Sequence, residues 1–154
     1  MITVYILLAV TGAYLLGSIS TAVWASRLFH GIDIREHGSG NAGATNVIRV
    51  LGWKTGIPVL LVDVAKGWLA ASLPVAFNLD AGGSSGMINL QILCGIAAIT
   101  GHVYPVFAGF RGGKGVGTTV GVLLALNPLL TLLCLGFFIA VLLITGYVSV
   151  SSIS

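Results

Sequence analysis

Charge is what this sequence most lacks. Of its 154 residues only 7% are charged while 56% are hydrophobic, and mean hydropathy is +1.06. Soluble domains carry about 25% charged residues. Seven Lys/Arg and four Asp/Glu cannot build a water-facing surface, so the solvent of this chain is mostly lipid. Cysteine is scarce too. Cys94 and Cys134 both fall in apolar runs and are expected as buried free thiols. With no CxxC and three scattered histidines, no metal site is expected. A basic tract is also missing, and basic and aromatic residues are not interleaved, which excludes nucleic-acid binding. The N-terminus has no basic stretch ahead of its apolar run, and that run is too long for a signal peptide. It reads as a span that stays in the protein.

What is present is apolar length. Five segments stand out, at 2–25, 55–77, 87–107, 115–126 and 129–147. A crossing helix needs about 20 residues. The expected fold is therefore all-α, a polytopic transmembrane helical bundle of about five spans forming a single domain over 1–154. The fourth segment is short for a crossing. Either it is half-inserted, or the glycine-rich run before it dips into the membrane.

Six of the seven Lys/Arg lie outside these segments, and their placement is uneven. Connector one (26–54) holds Arg27, Arg35, Arg49 and Lys54, and connector three (108–114) holds Arg111 and Lys114. Connector two (78–86) has no cation and one carboxylate, Asp80; the fourth is an Asn127-Pro128 turn. This alternation is what the positive-inside rule produces. It places the N-terminus outside and connectors one and three in the cytoplasm, provided that the short segment crosses.

Connector one contains GSGNAGATNVIR, residues 38–49. Gly38, Gly40 and Gly43 permit left-handed backbone, so that successive N–H groups can converge on an anion. Ser39, Asn41, Thr45 and Asn46 add donors. Asn46 is placed to cap a short helix with Arg49 one turn on. Connector three continues GHVYPVFAGFRGGKGVGT, residues 101–118. Arg111 and Lys114 sit among Gly112, Gly113, Gly115 and Gly117, a second phosphate cradle. It is not a Walker A loop, because Ala108 replaces the first glycine and Gly115 follows the lysine. A nucleoside triphosphatase is thereby disfavoured. In the second span Asp63 and Lys66 share one helix face, by helical rise roughly 12–16 Å from Thr55. Charges at that depth are costly unless paired. Two roles stand open, a structural ion pair or a Lys66 that contacts substrate. His102 ends the third span; no carboxylate stands beside it in the sequence.

These motifs resemble the bacterial acyl-phosphate–glycerol-3-phosphate acyltransferases, the PlsY family. The resemblance covers nearly the whole chain. Besides the two loops it includes YLLGSI at 14–19, Asp63 with Lys66-Gly67, and VSVSSI at 148–153. It implies an enzyme of the bacterial cytoplasmic (inner) membrane, multi-pass, with its active face in the cytoplasm. Its partners are acyl phosphate, glycerol 3-phosphate and membrane lipid. It moves an acyl group to the 1-hydroxyl of glycerol 3-phosphate, giving lysophosphatidate and phosphate, without metal, nucleotide or other cofactor. By motif, Ser39 and Arg49 take the essential positions of the first loop. The stretch around Lys114 binds glycerol phosphate, and Ser149 and Ser152 open a third region.

The residues agree with such chemistry. Arg49 with Gly38, Gly40, Asn41, Thr45 and Asn46 would hold the acyl phosphate. Lys114 with Arg111, Gly112, Gly113 and Gly115 would hold the incoming phosphate. Ser39, His102 and the departing phosphate are the candidate proton acceptors. The chain departs from the family at Ala42 and Ser20, where proline is common, and at Gly117, where alanine is usual. Family members also run on through further spans, with an Asn/Arg-containing loop and a glutamate. The domain is thus expected to be C-terminally incomplete, and an inactive fragment is one alternative. An organophosphate transporter is the other, but the outer connectors offer no cation to receive its anion.

Overall fold

The computed structural model describes residues 2–79 and 83–146. Asp80, Ser149 and Ser152 lie outside the described residues. Among these residues the chain is entirely helical. The helices are α1 (Ile2–Gly17), α2 (Thr21–His30), α3 (Ala44–Leu51), α4 (Trp53–Ala76), α5 (Gly83–Val103), α6 (Val116–Leu126) and α7 (Pro128–Thr145). Short 3-10 turns at Ile34–Glu36 and Val106–Ala108 punctuate connectors one and three. Among the described residues four stretches are long and apolar enough to cross a membrane: Ile2–His30, Trp53–Ala76, Gly83–Ala108 and Pro128–Thr145.

Helices α1, α4, α5 and α6 form the bundle, and glycine sets their spacing. A Cβ at Gly17 would strike the Ala98 backbone, and one at Gly101 the Tyr14 carbonyl. These two sites bring α1 against α5. Likewise a Cβ at Gly67 would strike the Thr118 carbonyl and one at Gly121 the Val64 carbonyl, which brings α4 against α6. Lipid gives helices no hydrophobic reason to associate, so close backbone approach at small residues supplies the packing. The small residues Gly17 and Ser18 are where α1 admits α5.

Two expectations need correction. The apolar run 2–25 is not one helix. It breaks at Ser18–Ser20, where the Ile19 carbonyl accepts from Lys66 Nζ, and α2 restarts at Thr21. Its far end closes on Gly31 in the left-handed conformation, φ 68°. Nor are both cysteines buried. Cys94 is, but Cys134 is exposed on α7, a helix with no buried residue among those described.

The short fourth segment starts inside the bundle. A Cβ on Gly117 would sit 3.2 Å from Asp63 Cβ and 3.3 Å from Leu60 Cδ1. Asp63 lies ten residues into α4, which is about 15 Å of helical rise. The glycine-rich run therefore descends from the basic end to that depth, and α6 covers the remainder. Of the two readings of a short segment, the dipping loop fits this packing. Asn127 then caps α7, its side chain accepting from Leu130 N at 3.0 Å.

Candidate active site

Connector one is held by side chains. Asp33 precedes the first 3-10 turn and accepts from its own neighbour, Arg35 N, at 3.0 Å. The chain then turns back through Gly38 and Gly40, both left-handed at φ 61° and 71°. Asn46 fixes the turn from below. Its amide nitrogen donates to the carbonyls of Ile34 (3.1 Å) and His37 (2.9 Å), and its oxygen accepts from Ser39 N (2.9 Å). Asn46 is therefore not the expected cap. Gly43 caps α3, and Asn46 lies one turn inside, fully buried.

Connector three is held by its lack of side chains. Gly112 N donates to the Val103 carbonyl (3.1 Å) and Gly113 N to the His102 carbonyl (3.2 Å). A Cβ on Gly113 would stand 2.5 Å from His102 Nε2 and 2.6 Å from the Ala42 carbonyl. Only glycine lets this strand of chain lie on both α5 and connector one.

The two connectors face each other across a cleft of about 280 Å³. Ser39, Asn41, Thr45 and Arg49 line one wall, and Lys114, Gly115, Val116 and Gly117 line the other. Asp63 from α4 and His102 from α5 border the same space. The helices α3 and α6 both begin here. Their caps, Gly43 and Gly115, make no side-chain capping hydrogen bond. First-turn amides and two helix dipoles, each about half a positive charge at its N-terminus, thus join Arg49 and Lys114 around one volume. The arrangement is suited to anions.

Sequence and structure comparisons agree on what such a cleft belongs to. A family model described as glycerol-3-phosphate acyltransferase matches residues 7–154. This chain belongs to the glycerol-3-phosphate acyltransferase family. The Chlorobaculum parvum glycerol-3-phosphate acyltransferase is 51% identical over 148 residues, covering 94% of this chain and 64% of that protein. The Salinibacter ruber member is 47% identical over 150 residues, covering 92% of this chain and 66% of that protein. The chain thus spans somewhat under two thirds of these relatives' length. Among solved structures, the glycerol 3-phosphate form of PlsY (YgiH), an integral membrane glycerol 3-phosphate acyltransferase, matches with TM-score 0.79 and 40% identity. That match covers 96% of this chain and 70% of the other. Its lysophosphatidic acid form matches with TM-score 0.75 and 38% identity. Together with the four long apolar stretches among the described residues, this makes the chain an integral membrane protein.

Several residues singled out in the family motifs stand elsewhere. Lys66 does not line the cleft. Its Nζ donates to the Ile19 carbonyl at 2.7 Å and pairs with Asp63 Oδ1 at 2.8 Å. The break in the first span thus frees a carbonyl for a buried lysine, and the ion-pair role is the one its geometry fits. Gly38 and Gly40 shape the turn behind Ser39, and Gly112 and Gly113 pack on α5. None of these four, nor Arg111, is among the cleft residues. Ser149 and Ser152 lie outside the described residues.

Sequence reasoning missed the surroundings of His102. Its Nδ1 lies 3.2 Å from Thr118 Oγ1 and 3.7 Å from Asp63 Oδ1. Thr21 Oγ1 donates to the same carboxylate oxygen at 3.3 Å. No sequence signal links positions on four different helices. Among the described residues no group of three His, Cys, Asp or Glu could hold a metal.

Proposed function

We propose that the chain carries the phosphate-binding part of a glycerol-3-phosphate acyltransferase that uses acyl phosphate as donor. One observation supports this most strongly: Arg49 and Lys114, from separate connectors, border one cleft together with two helix N-termini. Both substrates are phosphate anions, so a site with two cationic walls suits both.

Arg49, Ser39, Asn41 and Thr45 hold the acyl phosphate. Lys114 and the first amides of α6 hold the phosphate of glycerol 3-phosphate. The 1-hydroxyl oxygen forms an ester bond to the acyl carbon as that carbon's bond to the phosphate oxygen breaks. The proton of the hydroxyl ends on the released phosphate, and His102, braced by Thr118 and Asp63, is placed to relay it. Acyl phosphate is already activated, so positioning and electrostatic stabilisation supply much of the catalysis. Connectors one and three face the cytoplasm of a bacterial inner membrane, as their excess of cations directs.

The test uses the purified chain in lipid nanodiscs, with acyl phosphate and labelled glycerol 3-phosphate. A chimera carrying the remaining C-terminal residues of the Chlorobaculum parvum relative is assayed beside it. Labelled lysophosphatidate, released with equimolar phosphate, is the expected product. Product from the chimera alone would place further essential residues past position 154. If neither protein yields lysophosphatidate and vesicles show counterflow of glycerol 3-phosphate instead, the acyltransferase reading is wrong.

A further inference from the structure

Arg35 is one of few cations in the chain, yet it does not line the cleft. Its guanidinium is used otherwise. Nε and Nη2 donate to Asp33, at 3.0 Å to Oδ1 and 2.7 Å to Oδ2. Nη1 then reaches more than seventy residues along the chain, donating to the carbonyls of Ala108 (2.7 Å) and Arg111 (3.2 Å). Both side chains of the Arg35–Asp33 pair are only 13% exposed, whereas Arg27, which also donates to Asp33 at 2.7 Å, is 57% exposed. The planar fork of arginine allows one group to serve a carboxylate on one edge and two carbonyls on the other; an ammonium cannot.

The turn that receives these bonds is strained. Between the two carbonyls, Gly109 and Phe110 are both left-handed, at φ 66° and 58°. For phenylalanine this is an outlier that persists only where the surroundings impose it. The Phe110 side chain is 58% exposed, so its own burial does not impose it. Phe110 N donates to the Pro105 carbonyl at 2.9 Å within the turn, and Arg35 binds the carbonyls on either side of the left-handed pair. Three residues past Arg111 comes Lys114.

We infer that Arg35 is a positioning residue, a strap that ties connector one to the turn before Lys114 and so holds Lys114 across the cleft from Arg49. This rests on the phosphate-binding reading of the cleft. Asp33 suits the strap, since its hydrogen bond from Arg35 holds its carboxyl well below the usual carboxylate range. The pair stays ionised wherever the protein is folded at ordinary pH.

The experiment pairs hydrogen exchange with ligand titration on the full chain in nanodiscs. Arg35→Lys keeps the charge but loses the fork. Asp33→Asn leaves Arg35 in place without its carboxylate, and Arg27→Gln is the control on the exposed partner. The strap predicts that amide exchange over 109–113 speeds by about tenfold in the first two variants, with peptides from α4 and α5 unchanged. It predicts that glycerol 3-phosphate binds about tenfold more weakly to them, and that this weakening vanishes in a Lys114→Ala background. Arg27→Gln should do neither. Unchanged exchange in both variants overturns the strap. So does faster exchange with unaltered binding, or a loss of affinity that persists without Lys114. Should the unaltered chain fail to bind glycerol 3-phosphate, the phosphate reading of the cleft falls, and the exchange comparison still decides whether the strap exists.

Discussion

The two walls of the cleft are built by opposite means. Connector one is dense with polar side chains, and Asp33, Arg35 and Asn46 fold it by hydrogen bonds that close over short stretches. Connector three is seated through its backbone. Gly112 and Gly113 let its backbone lie directly on α5, and its amides bond to the last carbonyls of that helix. One wall is fixed by what its side chains add, the other by what its glycines omit. A site for small anions needs both kinds: donors in number on one side, and on the other a backbone near enough to present its lysine and its amides.

The comparison breaks most readily on the glycine side. Gly113→Ala forces a methyl against His102 Nε2 and the Ala42 carbonyl, and a backbone carbonyl cannot swing aside. Overpacking of this kind costs about 1–3 kcal/mol. The expected result is a lower melting temperature in nanodiscs together with loss of glycerol 3-phosphate binding. A variant that melts and binds like the parent would show that connector three does not depend on this contact.

On the other wall the damage comes from removal. Asn46→Ala leaves the Ser39 amide without its partner and removes one of two hydrogen bonds at each of the Ile34 and His37 carbonyls. An unsatisfied buried group costs about 1–3 kcal/mol, and water can reach part of this turn, so the lower half of that range is expected. Thermal melting gives the loss. Asn46→Asp keeps the acceptor for Ser39 but sets a buried carboxylate against the two carbonyls, and should melt below the alanine variant at neutral pH.

The smallest effect is a pH dependence that does not appear. Asp33 has its folded pKa pushed below the ordinary 3.8. A carboxylate shifted downward stabilises the fold fully above its unfolded pKa, and that contribution is lost only as pH falls through the folded value. The stability gap between the parent and Asp33→Asn should therefore be constant from pH 7 to pH 5. A gap that closes within that interval contradicts the strong Asp33–Arg35 bond.

Much of this molecule was legible in the sequence. Apolar length gave α4, α5, α6 and α7 to within a few residues, because lipid leaves the backbone few alternatives. Glycine and donor clustering marked both walls, and Ser39, Asn41, Thr45, Arg49, Lys114 and Gly115 do border one cleft. The misreadings have physical causes. The break at Ser18–Ser20 lies within a run whose average hydropathy hides two serines. Asp63 and His102 approach across different helices, and no periodicity records a contact between spans. Of the two roles left open for Lys66, the ion pair with Asp63 is the one its contacts fit; what the sequence hid is its second partner, a main-chain carbonyl, which every residue possesses. Asn46 was read as a cap from its residue type, when Gly43 already holds that place. Arg35 was counted among topology-setting cations, although Asp33-x-Arg35 is a short turn signal that pointed to a more local use.

A double-mutant cycle of Arg49 and Lys114, read as the second-order rate of acyl transfer in the chimera, bears most directly on the shared cleft. Each single change to alanine should lower the rate by about 10²–10³-fold. The double variant should be little worse than the poorer single one, as for groups that act as a unit. Losses that multiply in full, or a parental rate in either single variant, would mean that the two cations do not serve one reaction centre.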